Sequence, residues 1–177
     1  FTRDHSNIHR QTLDKWTNYI LSDSELEFLD SLREKLLPIK NYCKAEVGIV
    51  TAANDYFIVN KSTLKKSGIK GVAKPILQKG SFAPSSIRFK KTDYDNIVSA
   101  DKSAFLLAFQ NKDSSSFSTA IKKYLKTGKD LAIDKRYKCE LRENWYFVPS
   151  TWISEGFFTK RSNIFPRVMI NDAQTIV

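Results

Sequence analysis

Residues 47–60 read VGIVTAANDYFIVN, with an apolar run on each side of an Asn-Asp pair. Valine, isoleucine and aromatic residues favour extended strands, because their side chains pack well on a pleated surface. Asn54 and Asp55 favour a turn, since their side chains bond the neighbouring backbone and tolerate left-handed conformations. The stretch therefore predicts a strand, a turn and a second strand.

Four further segments carry the same strand signals. Each is short, β-branched or aromatic, and bounded by turn-forming residues. They are IRFK (87–90), AFLLAFQ (104–110), NWYFVP (144–149) and PRVMIN (166–171). With EVGIV (46–50) and DYFIVN (55–60), they make strands the commonest element that the sequence predicts.

One helix is predicted at residues 22–37, SDSELEFLDSLREKLL. Ser22 with Glu25 three residues later is a capping box, in which each side chain bonds the other residue's backbone. Leucines recur at steps of three and four until Pro38 ends the run, which indicates one apolar face. We expect this helix to pack on the core.

A second helix is predicted at residues 115–127, SSFSTAIKKYLKT, with Gly128 as its stop. Its apolar residues share one face and its lysines occupy the other. With two helices and several strands, the sequence predicts an α+β fold with a mixed, largely antiparallel sheet and a few helices.

The positive charge is unevenly distributed. Residues 1–60 contain 7 Lys and Arg against 9 Asp and Glu, whereas residues 61–177 contain 22 against 10. Such an asymmetry favours a polyanionic partner, nucleic acid first and an anionic membrane surface second. An ordinary basic surface that keeps the protein in solution is the plainer interpretation of the same charge.

Several classes are disfavoured by what the sequence lacks. No apolar run approaches the roughly 20 residues of a membrane span, and residues 1–20 are unlike a signal peptide. We therefore expect a soluble cytoplasmic protein with no membrane partner. Cys43 and Cys139 are isolated from each other and from other cysteines, so we expect two reduced thiols.

The sequence also lacks the usual catalytic patterns. It has neither of the glycine-rich phosphate-binding loops, and no Asp or Glu is followed two residues later by Lys. His5 and His9 have a helical metal-ligand spacing but lack further ligands, and no histidine follows them. We expect a chain that is not itself an enzyme and binds neither metal nor cofactor.

The opening stretch resembles a signature that follows the catalytic domain in adenine-specific (N6) DNA methyltransferases of restriction-modification systems, the TaqI-like class. Other segments resemble that family in the same order along the chain, and together they cover residues 44–177. They are KPIL (74–77), YLKTGKDLAIDKRYKCELRENWYFVP (124–149) and FFTKRSNIFPRVMINDAQTIV (157–177). One departure is Ala52, which stands where the family usually has glycine.

The resemblance implies a target-recognition domain with the α+β fold of DNA methylase specificity domains. The family's S-adenosylmethionine loop and its Asn/Asp-Pro-Pro-Tyr/Phe tetrapeptide are absent. We therefore expect residues 1–43 to be a connecting segment, and residues 44–177 to be a recognition domain truncated at its C-terminus. The implied partners are double-stranded DNA and a catalytic methyltransferase domain of the same polypeptide, which would use S-adenosylmethionine. The parent would be a type II enzyme, and a type IIG fusion with a nuclease stays open.

DNA recognition requires cations for phosphates and paired donors for base edges. The base-reading candidates are Arg88, Arg136, Arg142 and Asn144. In an extended strand, Arg136 and Arg142 would share one face with Lys138, opposite Cys139. The phosphate-contact candidates are Lys65, Lys66, Lys70, Lys74, Lys79, Lys90, Lys91, Lys122, Lys123, Lys126, Lys129, Lys135, Lys138, Lys160 and Arg161.

Three alternatives stay open. The chain could resemble a specificity subunit that acts on a separate methyltransferase chain. It could be a nuclease or RNA-processing enzyme with an unrecognised site. It could also be a protein-interaction module whose basic face binds an acidic partner.

Overall fold

The computed structural model describes residues 21–159 and 166–177. Four residues considered above, His5, His9, Lys160 and Arg161, lie outside this described part. The chain divides into two compact units, Phe1–Glu46 and Val47–Val177. The strands and the buried core residues of the described part all belong to the second unit.

Helix α1 (Asp23–Lys35) is the long helix of the first unit, and a single 3-10 turn, Ile39–Asn41, follows it. Ser22 caps it, and the predicted capping box with Glu25 is present in both directions. The expectation of core packing is wrong, because no residue of α1 is buried and Phe28 is 62% exposed. Leucine spacing predicts an apolar face but cannot say whether another element covers that face.

The second unit contains short helices and strands in alternation. Its helices are α2 (Asn54–Phe57), α3 (Lys61–Ser67), α4 (Lys91–Ser99), α5 (Thr119–Asp130) and α6 (Tyr137–Glu140). Its strands are β1 (Ile58–Val59), β2 (Ala73–Pro75), β3 (Arg88–Phe89), β4 (Phe105–Leu107), β5 (Gly156–Phe158) and β6 (Val168–Asn171). Short 3-10 turns occupy Lys70–Val72, Gly80–Phe82, Ser114–Ser116 and Ile133–Lys135.

The strands form two three-stranded sheets. In the first sheet, β4 lies between β1 and β2 and is antiparallel to both, with Leu106 opposite Ile58 on one side and Lys74 on the other. In the second sheet, β6 lies between β3, which is parallel to it, and β5, which is antiparallel. The α+β class and the largely antiparallel pairing are confirmed, although the strands are divided between two small sheets.

Each sheet packs against its own group of buried side chains. The first group includes Phe57, Leu106 and Phe109, all at most 2% exposed. The second includes Phe89 and Met169, at most 1% exposed. Because fully burying one large apolar side chain contributes about 1.5–3 kcal/mol, these two groups are the main source of stability in the unit.

Two of the predicted strands are absent. Residues 46–50 lie in no strand, although Ile49 N–H donates to the carbonyl of Val177 at 2.7 Å. Residues 144–149 form turns followed by irregular chain, in which Tyr146 and Val148 are buried. Alternating burial is preserved there, but a strand also needs a neighbouring strand with which to exchange backbone hydrogen bonds.

Two local predictions also need correction. Asn54 and Asp55 begin helix α2 instead of forming a simple turn. Helix α5 begins later than predicted, at Thr119, and continues through Gly128 to Asp130. Gly128 therefore does not end the helix. Its lack of a side chain instead allows Tyr56 and Trp145 to lie close to the helix backbone.

Candidate nucleic-acid interface

The segments that carry the family resemblance meet around the loop that precedes α2. Thr51 is 1% exposed, and its hydroxyl accepts a hydrogen bond from the N–H of Ala53 and donates one to the side chain of Asn54. Ala52 has a φ of 69°, so an alanine holds the left-handed conformation that glycine adopts more readily. The loop is therefore tightly held at the start of α2.

Arg142, which belongs to the family-like segment 124–149, bonds the backbone of this loop. Its Nη2 donates to the carbonyls of Val50 at 3.0 Å and Thr51 at 3.1 Å, and its Nη1 donates to the carbonyl of Trp145 at 3.4 Å. Burial lowers the pKa of the guanidinium from its ordinary value. Arg142 is half-buried and bonded to protein carbonyls, which is the environment of a structural arginine.

The extended strand predicted for residues 136–142 is wrong. This segment contains α6 and directly follows the 3-10 turn Ile133–Lys135, so its side chains follow a helical arrangement. Cys139 is buried, whereas Tyr137 and Leu141, which would share its face in an extended strand, are 74% and 69% exposed. The alternation of charged and apolar residues is typical of a strand. Local backbone hydrogen bonds nevertheless fold this segment into helical turns.

Arg136 forms a two-pronged ion pair with Asp55. Both pairs of atoms, Nη1 with Oδ1 and Nη2 with Oδ2, are 2.8 Å apart. The hydrogen bond from Arg136 lowers the pKa of Asp55, and the same bond raises the pKa of Arg136. The two N–H donors of Arg136 that could pair with a guanine edge are thus bonded to the carboxylate of Asp55.

The same motif segments also share aromatic packing. Tyr56 Oη donates to the carbonyl of Tyr124 at 2.9 Å, and Tyr124 Oη donates to the carbonyl of Tyr56 at 2.8 Å. The Trp145 ring lies 5.7 Å from that of Tyr56 and 6.2 Å from that of Phe57. The family-like motifs consequently build a structural junction between α2, α5 and the chain after α6.

Beside this junction, α5 lines an open cleft of about 520 Å³, which we call the lysine cleft. Lys122, Lys126 and Lys129 line it from one face of α5, because residues three and four apart share a helix face. The chain after α6 supplies Asn144 and Glu143 to the same cleft. Three of the predicted phosphate contacts and one predicted base reader are therefore brought together.

Asn144 keeps part of its hydrogen-bonding capacity in this position. Its Nδ2 donates to Asn111 Oδ1 at 2.8 Å, and its Oδ1 accepts from Tyr146 Oη at 3.0 Å. A side-chain amide carries two donor hydrogens and two acceptor lone pairs. One of each is still available among the described contacts, as recognition of an adenine edge by an amide requires.

A second open cleft of about 570 Å³, which we call the glutamine cleft, contains residues that the sequence did not single out. It is lined by Gln110, Lys112 and the predicted phosphate contact Lys74. Lys74 Nζ donates to the hydroxyl of Thr151 at 3.0 Å, and Lys112 Nζ lies 4.8 Å from the ring centre of Phe117. A signal was present in the sequence, since an amide and a lysine directly follow the AFLLAF strand.

The remaining candidates within residues 21–159 are exposed but do not line either cleft. Arg88 lies in β3 and contacts Asp172 at 3.4 Å, while Lys91 at the start of α4 pairs with Asp95. Lys90 caps α4. The other candidates in this group are Lys65, Lys66, Lys70, Lys79, Lys123, Lys135 and Lys138.

The described part of the chain also lacks two other kinds of feature. Within residues 21–159 and 166–177, no three His, Cys, Asp or Glu side chains are grouped so that they could hold a metal ion. No helix in the same ranges has the length and apolar character needed to cross a bilayer.

Comparison with known proteins shows the family of the chain. Residues 13–177 match the family model described as type II methyltransferase M.Eco57I, C-terminal domain, and the chain belongs to this family. It is also 30% identical over 146 residues to type II methyltransferase M.AccI of Acinetobacter calcoaceticus.

That alignment covers 79% of the chain but 25% of the relative, so the chain spans about a quarter of the length of that protein. No solved structure matches the chain. The predicted resemblance to a C-terminal domain of a restriction-modification methyltransferase is confirmed.

Proposed function

We propose that this chain is the target-recognition part of a site-specific adenine DNA methyltransferase. It holds duplex DNA, while a catalytic domain of the same polypeptide transfers a methyl group from S-adenosylmethionine to the N6 atom of adenine. An enzyme that modifies a base inside a duplex must extrude that base, so a separate surface has to grip the flanking DNA. Membership of a methyltransferase C-terminal family supports this division of labour.

The lysine cleft is the observation that carries the proposal. Three lysine side chains on one helical face supply positive charge along a line, which suits the regularly spaced phosphates of a DNA strand. Asn144 in the same cleft supplies an amide with a donor and an acceptor still available. Positive charge that can bind phosphates and an amide that can pair with a base edge thus lie within one open cleft.

The base-reading roles are divided according to the contacts of each side chain. We propose Asn144 and Arg88 as readers. Among the residues that the structure describes, the Arg88 side chain bonds only the exposed Asp172, through one nitrogen. Arg142 acts as a positioning residue, since moving it to DNA would break its bonds to the carbonyls of Val50 and of the buried Thr51. Arg136 would read a base only by exchanging its ion pair with Asp55 for the base edge.

The proposal is tested by measuring how the affinity of the chain for duplex DNA depends on salt. We expect tight binding at low salt and a steep fall as salt rises. Replacing Lys122, Lys126 and Lys129 by alanine should make the slope of log affinity against log salt shallower by about 0.9 for each phosphate that the protein no longer neutralises.

A matched control is the triple alanine variant of Lys40, Lys61 and Lys102, three exposed lysines that line neither cleft. Its slope should stay close to that of the wild-type chain. The proposal would be contradicted if both triple variants had equal slopes of log affinity against log salt. It would also be contradicted if the wild-type chain did not bind duplex DNA at low salt. Cleavage of the duplex on addition of Mg²⁺ alone would favour the nuclease alternative.

A further inference from the structure

The loop of residues 110–116, which we call the dividing loop, contributes to both clefts. Gln110, Lys112 and Ser116 line the glutamine cleft, while Ser114 and Ser115 line the lysine cleft. The loop is therefore the wall that the two clefts share. A wall with an open cleft on each side is a ridge, and its residues are exposed.

The dividing loop is held at several points along its length. Asn111 donates to Glu143 Oε2 at 2.9 Å and accepts from Asn144, and the carbonyl of Lys112 accepts from Tyr146 Oη at 2.6 Å. Asp113 accepts from the backbone N–H two residues later at 2.7 Å. A loop fixed in this way gives up little conformational freedom on binding, which is what precise recognition requires.

Positive charge flanks the ridge on both sides. Lys74 and Lys112 lie on the glutamine-cleft side, and the three α5 lysines lie on the lysine-cleft side. A groove of duplex DNA has the opposite arrangement, since two lines of phosphates border a recess in which base edges are exposed. The charge and the shape of the ridge therefore complement a DNA groove.

We propose that the dividing loop enters the major groove of the target duplex, so that the phosphates of one strand lie in each cleft and Gln110 reads a base edge. This inference rests on the proposed function and specifies the docking geometry. The side chain of Gln110 is exposed and forms no hydrogen bond with another described residue. An amide that donates and accepts matches the N7 and N6 positions of adenine, which the major groove presents.

The test selects preferred sequences from a random duplex pool with the wild-type chain and with Gln110→Ala. The variant should lose about 10-fold or more of the preference at one base pair, because one bidentate interaction is removed. Its salt slope should stay unchanged, since every phosphate-binding lysine is still present. Gln174→Ala is the matched control, because this exposed glutamine lines neither cleft, and it should keep every base preference.

A second measurement locates the two strands by phosphate ethylation interference. The variant K74A/K112A should lose sensitivity on one strand, and K122A/K126A should lose it on the opposite strand. Loss on the same strand in both variants, or unchanged base preferences in Gln110→Ala, would overturn the docking geometry while leaving DNA binding intact. Failure of the wild-type chain to bind any duplex would overturn the proposed function as well. Circular dichroism confirms in each case that the variant is folded.

Discussion

Two polar side chains of the second unit, Asn171 and Arg167, hold the backbone through hydrogen bonds to distant carbonyls. Asn171 is 1% exposed and donates to the carbonyls of Ser154 and Thr175, while its Oδ1 accepts from the backbone N–H and the hydroxyl of Thr175. Arg167 donates to the carbonyls of Gly80 and Pro84. At the scale of the residue, motif membership therefore does not distinguish a side chain that reads DNA from one that holds a loop.

Ala52 provides a stability prediction at this scale. A left-handed conformation costs a residue with a side chain about 1–2 kcal/mol, which glycine would relieve, although glycine also makes the unfolded chain more flexible and so offsets part of the gain. We expect Ala52→Gly to stabilise the chain by about 0.5 kcal/mol in urea denaturation, with an unchanged m value. Ala100→Gly is the control, because Ala100 has a φ of −77° and its replacement should lower stability. Destabilisation by both substitutions would show that Ala52 is not strained.

Helix α5 connects the structural junction with the proposed DNA surface. Its inner face packs through Leu125 and Gly128, both buried. Lys122, Lys126 and Lys129 line the lysine cleft. A Cβ atom at Gly128 would lie 2.6 Å from Tyr56 Oη and would also meet the Trp145 ring. Glycine inside the helix, although unfavourable for helix propensity, allows α2 and α5 to approach closely enough for the paired tyrosine bonds.

The paired tyrosines predict how stability depends on alkaline pH. Burial raises the pKa of Tyr124 to about 12, so the folded chain keeps a proton that the unfolded chain releases near pH 10. The stabilising contribution is complete below pH 10 and is lost as the pH rises towards 12. Tyr124→Phe should cost about 1 kcal/mol at pH 7 through the missing hydrogen bond, yet flatten this alkaline loss.

The measurement is denaturant unfolding of the wild-type chain and the variant at several pH values between 7 and 11. Tyr137→Phe is the matched control, since Tyr137 is 74% exposed and should leave the slope of the profile unchanged. Parallel profiles for the wild-type chain and Tyr124→Phe would exclude the proposed shift of the Tyr124 pKa.

At the scale of the whole molecule, the buried core and the basic clefts of the described residues belong to the same unit. Both groups of buried side chains lie within Val47–Val177, and so do both basic clefts. We propose that this unit is the recognition domain, with a boundary a few residues beyond the position 44 expected from the resemblance. In this proposal the excess positive charge of the unit is available for DNA, and catalysis is assigned to the remainder of the parent polypeptide.

The parent polypeptide should show this division directly. With K122A/K126A in the parent, we expect S-adenosylmethionine binding to be unchanged, and we expect the KM for duplex DNA to rise about 10-fold at moderate salt because fewer phosphates are neutralised. Methyl transfer measured with labelled cofactor gives KM, and mass spectrometry of digested DNA should identify N6-methyladenine. A different methylated base would contradict the adenine assignment, and an equal loss of cofactor binding would contradict the separation of roles.

Much of this protein was predictable from short-range patterns. The capping box of α1, the strands near residues 88, 106 and 169, the α+β class and the family all follow from local sequence signals. These predictions succeed because capping, periodicity and composition act over a few residues.

The tertiary structure decided what depends on contacts between distant segments. It showed that Arg142 bonds carbonyls about 90 positions earlier in the chain, and that Arg136 pairs with Asp55. It also placed Asn144 beside the α5 lysines and brought Gln110 into a cleft. A side chain's donors and charge can be recognised in the sequence, but their partners cannot, because each partner is supplied only when the chain folds back on itself.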